Sequence, residues 1–298
     1  MKVYSIVVTY NGSEWVDDCF GSLMHQNIEE HHIIAVDNGS RDNTVALLKE
    51  KFPEVEVVET GENLGFGKAN NIGMNKAYLD GADYVFLLNQ DAYIEEDGIN
   101  KLIEVQTQNP EFGVLSPIHF AGGEKEIDSK FTTYLNSMET PLLIYDLYRG
   151  QRKQIYPSAF VNAAIWLISY DCIEKTGIFD PMFFHYGEDR DYIYRIKYWG
   201  FKLGICPWIK GVHARKQDKE PGDNPIYNFS IRVAYLKAYK KKLYPRIVYL
   251  LASLSGLLFS LFGNDKRYIS DYYIFKFYKL IKKHREISFS RQGAFIKK

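Results

Sequence analysis

The chain has 298 residues, 46% of them hydrophobic and 15% aromatic, which is enough apolar material for one large core, or a core with an accessory segment, and excludes overall disorder. Lysine plus arginine and aspartate plus glutamate each total 37, so no global charge points to nucleic acid or to electrostatic capture of an anionic substrate. Three scattered cysteines, Cys19, Cys172 and Cys206, lack CxxC spacing, which argues against a disulfide framework or a zinc site and fits a reducing cytoplasm.

The opening residues carry one charge and then an apolar run too short for a signal peptide, so they read as a first strand. Short β-branched runs at 4–9, 33–37, 55–59 and 84–88 alternate with helical patterns, which predicts an α/β fold with a mostly parallel central sheet flanked by helices. Val16, Phe20, Leu23 and Met24 fall at helical spacing, with Ser13 placed as an N-cap. A second helix is expected near 44–51, ending before Pro53, and a third over about 68–79. After Pro117 the pattern loosens through 121–136 and 140–158, a candidate acceptor-side insertion or lid. A strand at 159–169, a short helix from Asp171, a helix starting near Glu188 and a strand at 202–206 follow.

Beyond Asn224 the composition turns to tyrosine, lysine and leucine, and residues 247–263 carry no charge while basic residues flank them. Seventeen uncharged residues sit at the lower limit for a bilayer span, so the stretch reads as a buried or homo-oligomer-forming helix, as a peripheral membrane-docking segment, or as a span. The chain is therefore divided into a catalytic domain at 1–220 and a helical C-terminal extension at 221–298.

An open parallel sheet places its ligand beyond the carboxyl ends of its strands. Here those ends read Thr9-Tyr10-Asn11-Gly12, Asp37-Asn38-Gly39-Ser40, Glu62-Asn63-Leu64-Gly65-Phe66-Gly67 and Asn89-Gln90-Asp91, all rich in amides and carboxylates. Asp91 follows a strand that should be central and buried. A divalent hard cation held there, Mg2+ or Mn2+, would stabilise the charge that builds on a diphosphate leaving group. The alternative is that Asp91 caps the helix expected at 95–107.

In this order the motifs resemble family 2 glycosyltransferases of the GT-A fold, near the rhamnosyltransferase-like and galactofuranosyltransferase-like branches. The resemblance covers about residues 3–215. It rests on Ile6-Val7-Val8-Thr9-Tyr10-Asn11, Val36-Asp37-Asn38-Gly39-Ser40-Arg41-Asp42, the run from Glu62 to Gly73, Leu88-Asn89-Gln90-Asp91 and Gly187-Glu188-Asp189-Arg190-Asp191. The family's metal motif is usually Asp-x-Asp; here Asn89 stands in the first position.

The resemblance implies an inverting transferase with a nucleoside-diphosphate sugar donor. It assigns Thr9, Tyr10, Asn11 and Asp37 to the base and ribose, and Asn63, Gly65, Lys68, Asn89 and Gln90 to the rest of the donor. Asp37 suits a pyrimidine N–H or ribose hydroxyls and Tyr10 a stacked base, although Asp37-Asn38-Gly39-Ser40 also reads as a turn with a helix cap. Gly65-Phe66-Gly67 tempts a dinucleotide-binding reading, but Asn70 stands where the third glycine belongs and the loop follows the wrong strand. By resemblance Asp189 is the general base, with Glu188 and Asp191 orienting the acceptor; the acids equally suit the positive end of a helix dipole. His213 would complete the metal site, or is a surface histidine. His185 would meet the acceptor, or pack between Phe184 and Tyr186. Arg215 and Lys216 are candidates for the diphosphate.

The acceptor implied is a glycan or lipid-linked glycan of a cell-surface polysaccharide, reached from the cytoplasm. Thymidine-linked rhamnose and a uridine-linked hexose lead as donors. A sugar nucleotidyltransferase and a non-catalytic nucleotide-sugar-binding protein remain the alternatives, the first weakened by the absence of a glycine-rich basic loop at Thr9-Tyr10-Asn11-Gly12.

Overall fold

A computed structural model of the chain describes residues 1–151, 153–214, 278–290 and 292–297, with positions 230, 231, 233, 234 and 237. Residues 247–263, Arg215 and Lys216 lie outside the described residues.

The first 90 residues fold as their hydrophobic periods require. Strands β1 (Lys2–Thr9), β2 (Glu30–Asp37), β3 (Glu56–Glu59) and β4 (Tyr84–Asn89) run parallel in the order β3-β2-β1-β4, joined by α1 (Val16–Met24), α2 (Thr44–Lys51) and α3 (Phe66–Leu79). β2 starts three residues earlier than the apolar run, because Glu30, His31 and His32 continue the ladder with polar side chains. Both faces are buried along β1 and β4, as crossover helices demand, while the edge strand β3 stays partly exposed. Tyr4 and Ile6 of β1 join one apolar cluster with α3; Val3 and Val7 join the other with Val16, Phe20 and Leu23 of α1. Ser13 does not cap α1. It opens a short 3-10 turn, and its amide donates to Asp42 Oδ2 at 3.1 Å.

Register brings the carboxyl ends of the strands level. Thr9 pairs with Asp37, Asp37 with Glu59, and Val8 with Asn89.

Beyond β4 the sheet becomes mixed. β8 (Ile165–Ser169) lies antiparallel to β4, followed by β6 (Phe112–Ala121), β9 (Lys202–His213) and β5 (Ala92–Ile94), with β7 (Tyr156–Ser158) on β9. The strand expected over 159–169 is confined to β8 because its partner β4 ends, the last bond running from Asn89 N–H to the Ala164 carbonyl at 2.8 Å. The strand expected at 202–206 continues to His213, its apolar pattern interrupted where the ladder shifts register between Cys206 and Lys210. The loosely patterned region holds two short helices, α5 (Ser129–Thr132) and α6 (Leu143–Tyr148). α4 (Gly98–Gln108), α7 (Tyr170–Thr176), α8 (Glu188–Tyr198) and α9 (Tyr278–Ser290) complete the described helices. Among the described residues no helix is long and apolar enough to cross a membrane.

α3 approaches β1 closely at Gly73, where an added Cβ would stand 2.8 Å from Ile6 Cγ2 in the core. Gly73→Val should therefore overpack this contact and lower unfolding free energy by about 1–3 kcal/mol in urea denaturation; an unchanged midpoint would contradict the packing.

Candidate active site

A cleft of about 540 Å³ opens over the aligned strand ends. Val8, Tyr10, Asn38, Asn63, Gly65 and Phe66 line one part of it, Asn89, Gln90 and Asp91 the floor, and Phe184, His185 and Tyr186 the far wall. Of the residues expected at the nucleotide, Tyr10, Asn63, Gly65, Asn89 and Gln90 are brought together there.

Thr9, Asn11, Asp37 and Lys68 are not on the cleft wall, and each has a physical reason. The Asp37 carboxylate is buried and accepts the Thr9 hydroxyl at 3.0 Å and the amides of Gly39 at 3.2 Å and Ser40 at 3.0 Å, so it braces its own loop. Asn11, at φ 46°, ties two loops together: its amide donates to Ser40 Oγ and its side-chain carbonyl accepts the Arg41 N–H at 2.8 Å. Lys68 is exposed on the first turn of α3. What the second strand offers the cleft is Asn38, whose amide group donates to Asn63 Oδ1 at 3.0 Å and accepts the Leu64 N–H at 2.8 Å. Gln90 is likewise engaged, accepting the Tyr10 N–H at 2.8 Å and donating to the Tyr10 carbonyl at 3.2 Å. This pair of hydrogen bonds holds the Tyr10 backbone while its ring stays 44% exposed at the cleft.

Asp91 does not cap α4, whose N-cap is Asp97. It precedes β5, which pairs antiparallel with the end of β9 so that Ala92 faces His213. That pairing sets Asp91 Oδ1 3.3 Å from His213 Nε2, although 122 residues separate them. The histidine is thus buried at a strand end, 5% exposed, rather than on a surface loop. Asn89 Nδ2 lies 3.4 Å from the same nitrogen, while Asn89 Oδ1 and His213 Nδ1 are buried with no hydrogen-bond partner. Among the described residues no three His, Cys, Asp or Glu side chains gather in a metal-binding group. A carboxylate, an imidazole and an unpaired amide oxygen at a cleft fit a hard divalent cation whose remaining ligands come from outside the protein.

The far wall is stitched to the donor-side loop at Gly65. Its φ is +82°, and an added Cβ would stand 1.9 Å from the Phe184 carbonyl, which accepts the Phe66 N–H at 3.2 Å. Glycine is needed here for the approach of that backbone, not only of a ligand. Tyr186 follows at φ 66°, a strained position for a non-glycine residue, with its ring 4.0 Å from that of His185. Partial desolvation in the cleft, then the Lys130 charge, lower the His185 imidazole.

Gly187 opens α8 at φ +86°, its missing Cβ leaving room for the Ser230 carbonyl. The three acids that follow have three different fates. Asp189 is half-buried, and its Oδ1 accepts the Arg190 N–H at 2.7 Å. Burial raises its pKa from the ordinary aspartate value, against the pull of the Arg190 amide, the Arg190 guanidinium and Lys130. Glu188 is buried beside the Cα of Gly67, with Oε2 unpartnered. Burial, then the Asp189 charge, push it up to about 8. Asp191, expected at the acceptor, is instead fully buried between Arg195 Nε at 3.0 Å and Lys237 Nζ at 2.8 Å. It anchors α8 and does not meet the cleft.

Sequence reasoning missed Val8, Asn38, Phe66, Phe184 and Tyr186 as cleft residues. All sit next to residues it singled out, and the alternation of side chains along a strand end or tight loop decides which neighbour faces the opening.

Residues 5–177 match the family model described as Glycosyl transferase family 2. The chain belongs to this family. It is a glycosyltransferase of mixed α/β fold with a GT-A arrangement. The family match includes Asp91 and ends before Asp189 and His213. Among curated relatives, a dTDP-rhamnosyl transferase, RfbF, of Shigella flexneri is 26% identical over 272 residues, covering 87% of this chain and 86% of its own. An N-acetylglucosaminyl-diphospho-decaprenol L-rhamnosyltransferase of Mycobacterium tuberculosis is 23% identical, covering 68% and 71%. Two solved structures share the fold. S. aureus TarS 1-349 in complex with UDP has a TM-score of 0.56 at 17% identity, covering 81% of this chain and 67% of that one. GalNAc-T7 with UDP, GalNAc and Mn2+ has 0.61 at 16%, covering 80% and 50%.

The Glu188 shift has a consequence for this glycosyltransferase's stability. A carboxyl whose folded value, about 8, exceeds its ordinary 4.5 contributes stability that is full below the lower value and lost as pH rises through the higher one. Glu188→Gln removes that loss, so the thermal midpoint of the variant relative to the unaltered protein should rise between about pH 5 and about pH 9. A pH-independent difference would show that Glu188 is not buried as an acid.

Proposed function

We propose that this enzyme transfers a sugar from a nucleoside diphosphate to a hydroxyl of a glycan or lipid-linked glycan, by one displacement with inversion at the anomeric carbon, in cell-surface polysaccharide synthesis. The observation that carries the reading is the Asp91–His213 pair on the floor of a strand-end cleft whose far wall runs directly into Asp189. The relatives support the donor class: dTDP-rhamnose is the first to test, since the relative matched over 86% of its own length is named for that donor. The decaprenol-linked acceptor in the second relative's name supports a lipid-linked acceptor here, met at the inner membrane face.

A divalent cation, Mg2+ or Mn2+, would be held by Asp91 and His213 with Asn89 Oδ1 as a further donor, and when bound it supplies positive charge beside the donor diphosphate. The protein's own groups do the rest. Tyr10, fixed through its backbone by Gln90, offers a flat face for the base. Asp189 accepts the acceptor's proton as its oxygen attacks the anomeric carbon and the bond to the diphosphate breaks. Glu188 assists by staying protonated near neutrality, which keeps a second negative charge away from Asp189. Two adjacent carboxyls thereby divide into one proton holder and one base. The raised value of Asp189 makes it a better base than an exposed aspartate.

Asp189→Asn should lower kcat by about 10²–10⁴ while leaving donor affinity in calorimetry unchanged; near-normal turnover would remove Asp189 from the role. Asp91→Asn should abolish the increase in dTDP affinity that Mn2+ produces in the unaltered protein. An increase of the same size in the variant would contradict the metal assignment.

A further inference from the structure

The insertion between β6 and β7 carries a surface that the transfer chemistry leaves unused. Among the described residues thirteen large hydrophobic side chains are exposed, and six of them fall within 138–148: Met138, Leu142, Ile144, Tyr145, Leu147 and Tyr148. α6 explains how they come to face outward. Leu143 and Asp146, three residues apart, are buried and anchor its inner side, which turns Ile144, Tyr145 and Tyr148 to the outside. Between Pro141 and Lys153 the sequence has one acid, Asp146, and it is buried beside Lys153 Nζ at 3.2 Å. Arg149, exposed at the end of the helix, lies over the Tyr145 ring and donates to its hydroxyl at 2.7 Å. Trp208, 44% exposed, donates to the Lys153 carbonyl at 3.0 Å and extends the patch.

The surface is rooted on the base side of the cleft. Thr140 Oγ1 donates to Ser158 Oγ at 3.1 Å, and two residues on the Phe160 ring packs under the Arg190 guanidinium at 4.0 Å, next to Asp189. At the other end of the insertion, Lys130 is close enough for its charge to act on both His185 and Asp189.

We infer that this surface, centred on Ile144, Tyr145 and Tyr148, docks on an anionic lipid bilayer and so brings the Asp189 side of the cleft to an acceptor anchored in that bilayer; the acceptor half of the inference rests on the proposed function. Exposed aliphatic and tyrosine side chains with a basic rim are what an interfacial element presents to acidic headgroups. A second copy of the chain is a poorer occupant, because a two-fold contact would set the basic rims against each other. The proposed surface is centred on residues 138–149.

The test uses the full chain and vesicles of equimolar phosphatidylcholine and phosphatidylglycerol. Replacing Ile144→Ser, Tyr145→Ser and Tyr148→Ser together should lower vesicle partitioning by about tenfold or more, and Arg149→Glu should lower it on these vesicles but not on pure phosphatidylcholine. Hydrolysis of dTDP-rhamnose without vesicles should be the same in the triple variant and the unaltered protein, which shows that the variant folds and reads the proposed function separately. Absent hydrolysis with intact vesicle binding would sink the donor assignment and leave the docking surface standing. Equal partitioning of the triple variant overturns the docking, as does a triple variant whose only change is a smaller mass in sedimentation equilibrium, which would assign the patch to a second copy.

Discussion

The far wall of the cleft depends on a buried cluster of charges behind α8. Asp180 and Asp191 share the Lys237 ammonium, Asp191 also binds Arg195, and Asp180 receives His284 Nδ1 at 2.6 Å. Each of the two carboxylates has a cationic partner in Lys237 or Arg195, with His284 as a further partner of Asp180, which is the condition under which such a group survives away from water. Burial alone would raise Asp180, but Lys237 and His284 overcome it and hold the acid at about 2. Arg195 spends its other donors on the carbonyls of Thr176 and Ile178 at 2.8 Å, so the chain leading to Asp180 is held by the same helix. Removing one partner from a buried ion pair costs about 3–5 kcal/mol, because the other charge is left unpaired. The carboxylate that anchors α8 is therefore Asp191, and Asp189, two residues away, is not drawn into this cluster.

Lys237 and His284 come from beyond residue 220, as does Ser230, whose hydroxyl donates to the His185 carbonyl at 3.4 Å. The described residues of the C-terminal extension thus supply counter-charges to Asp180 and to Asp191 of α8. A boundary near 220, drawn from composition, separates two stretches of sequence that share one ionic cluster. Lone lysines and histidines in a basic, tyrosine-rich stretch give no sign of which carboxylate they will meet.

The parallel half of the sheet was readable because its inner strands β1 and β4 are buried along most of their length and α1 shows its apolar stripe; Val16, Phe20 and Leu23 fall where their spacing put them. The pairing of Asp91 with His213 was readable only as a resemblance. Its physical cause is the short β5 and the long β9, and Pro207 and Trp208 interrupt the apolar pattern that would have revealed the second. Asp37 and Gln90 also hold their own loops, for a related reason. A polar side chain at a strand end reads as a ligand contact, yet loops must also satisfy their own backbone groups, and Gly39, Ser40 and Tyr10 claim these two. At Gly65 the sequence showed a glycine and a reason for one, while the backbone that comes close is that of Phe184.

The proposed single base and direct displacement rest on the division of labour among three acids: Asp189 is half-buried just beyond the far wall, Glu188 beside it is held as an acid, and Asp191 is committed to Arg195 and Lys237. The most direct test is the anomeric configuration of the newly transferred sugar, read by proton NMR early in the reaction with an assigned donor. Inverted configuration relative to the donor is predicted. Retained configuration would contradict the single displacement and, with it, the role given to Asp189.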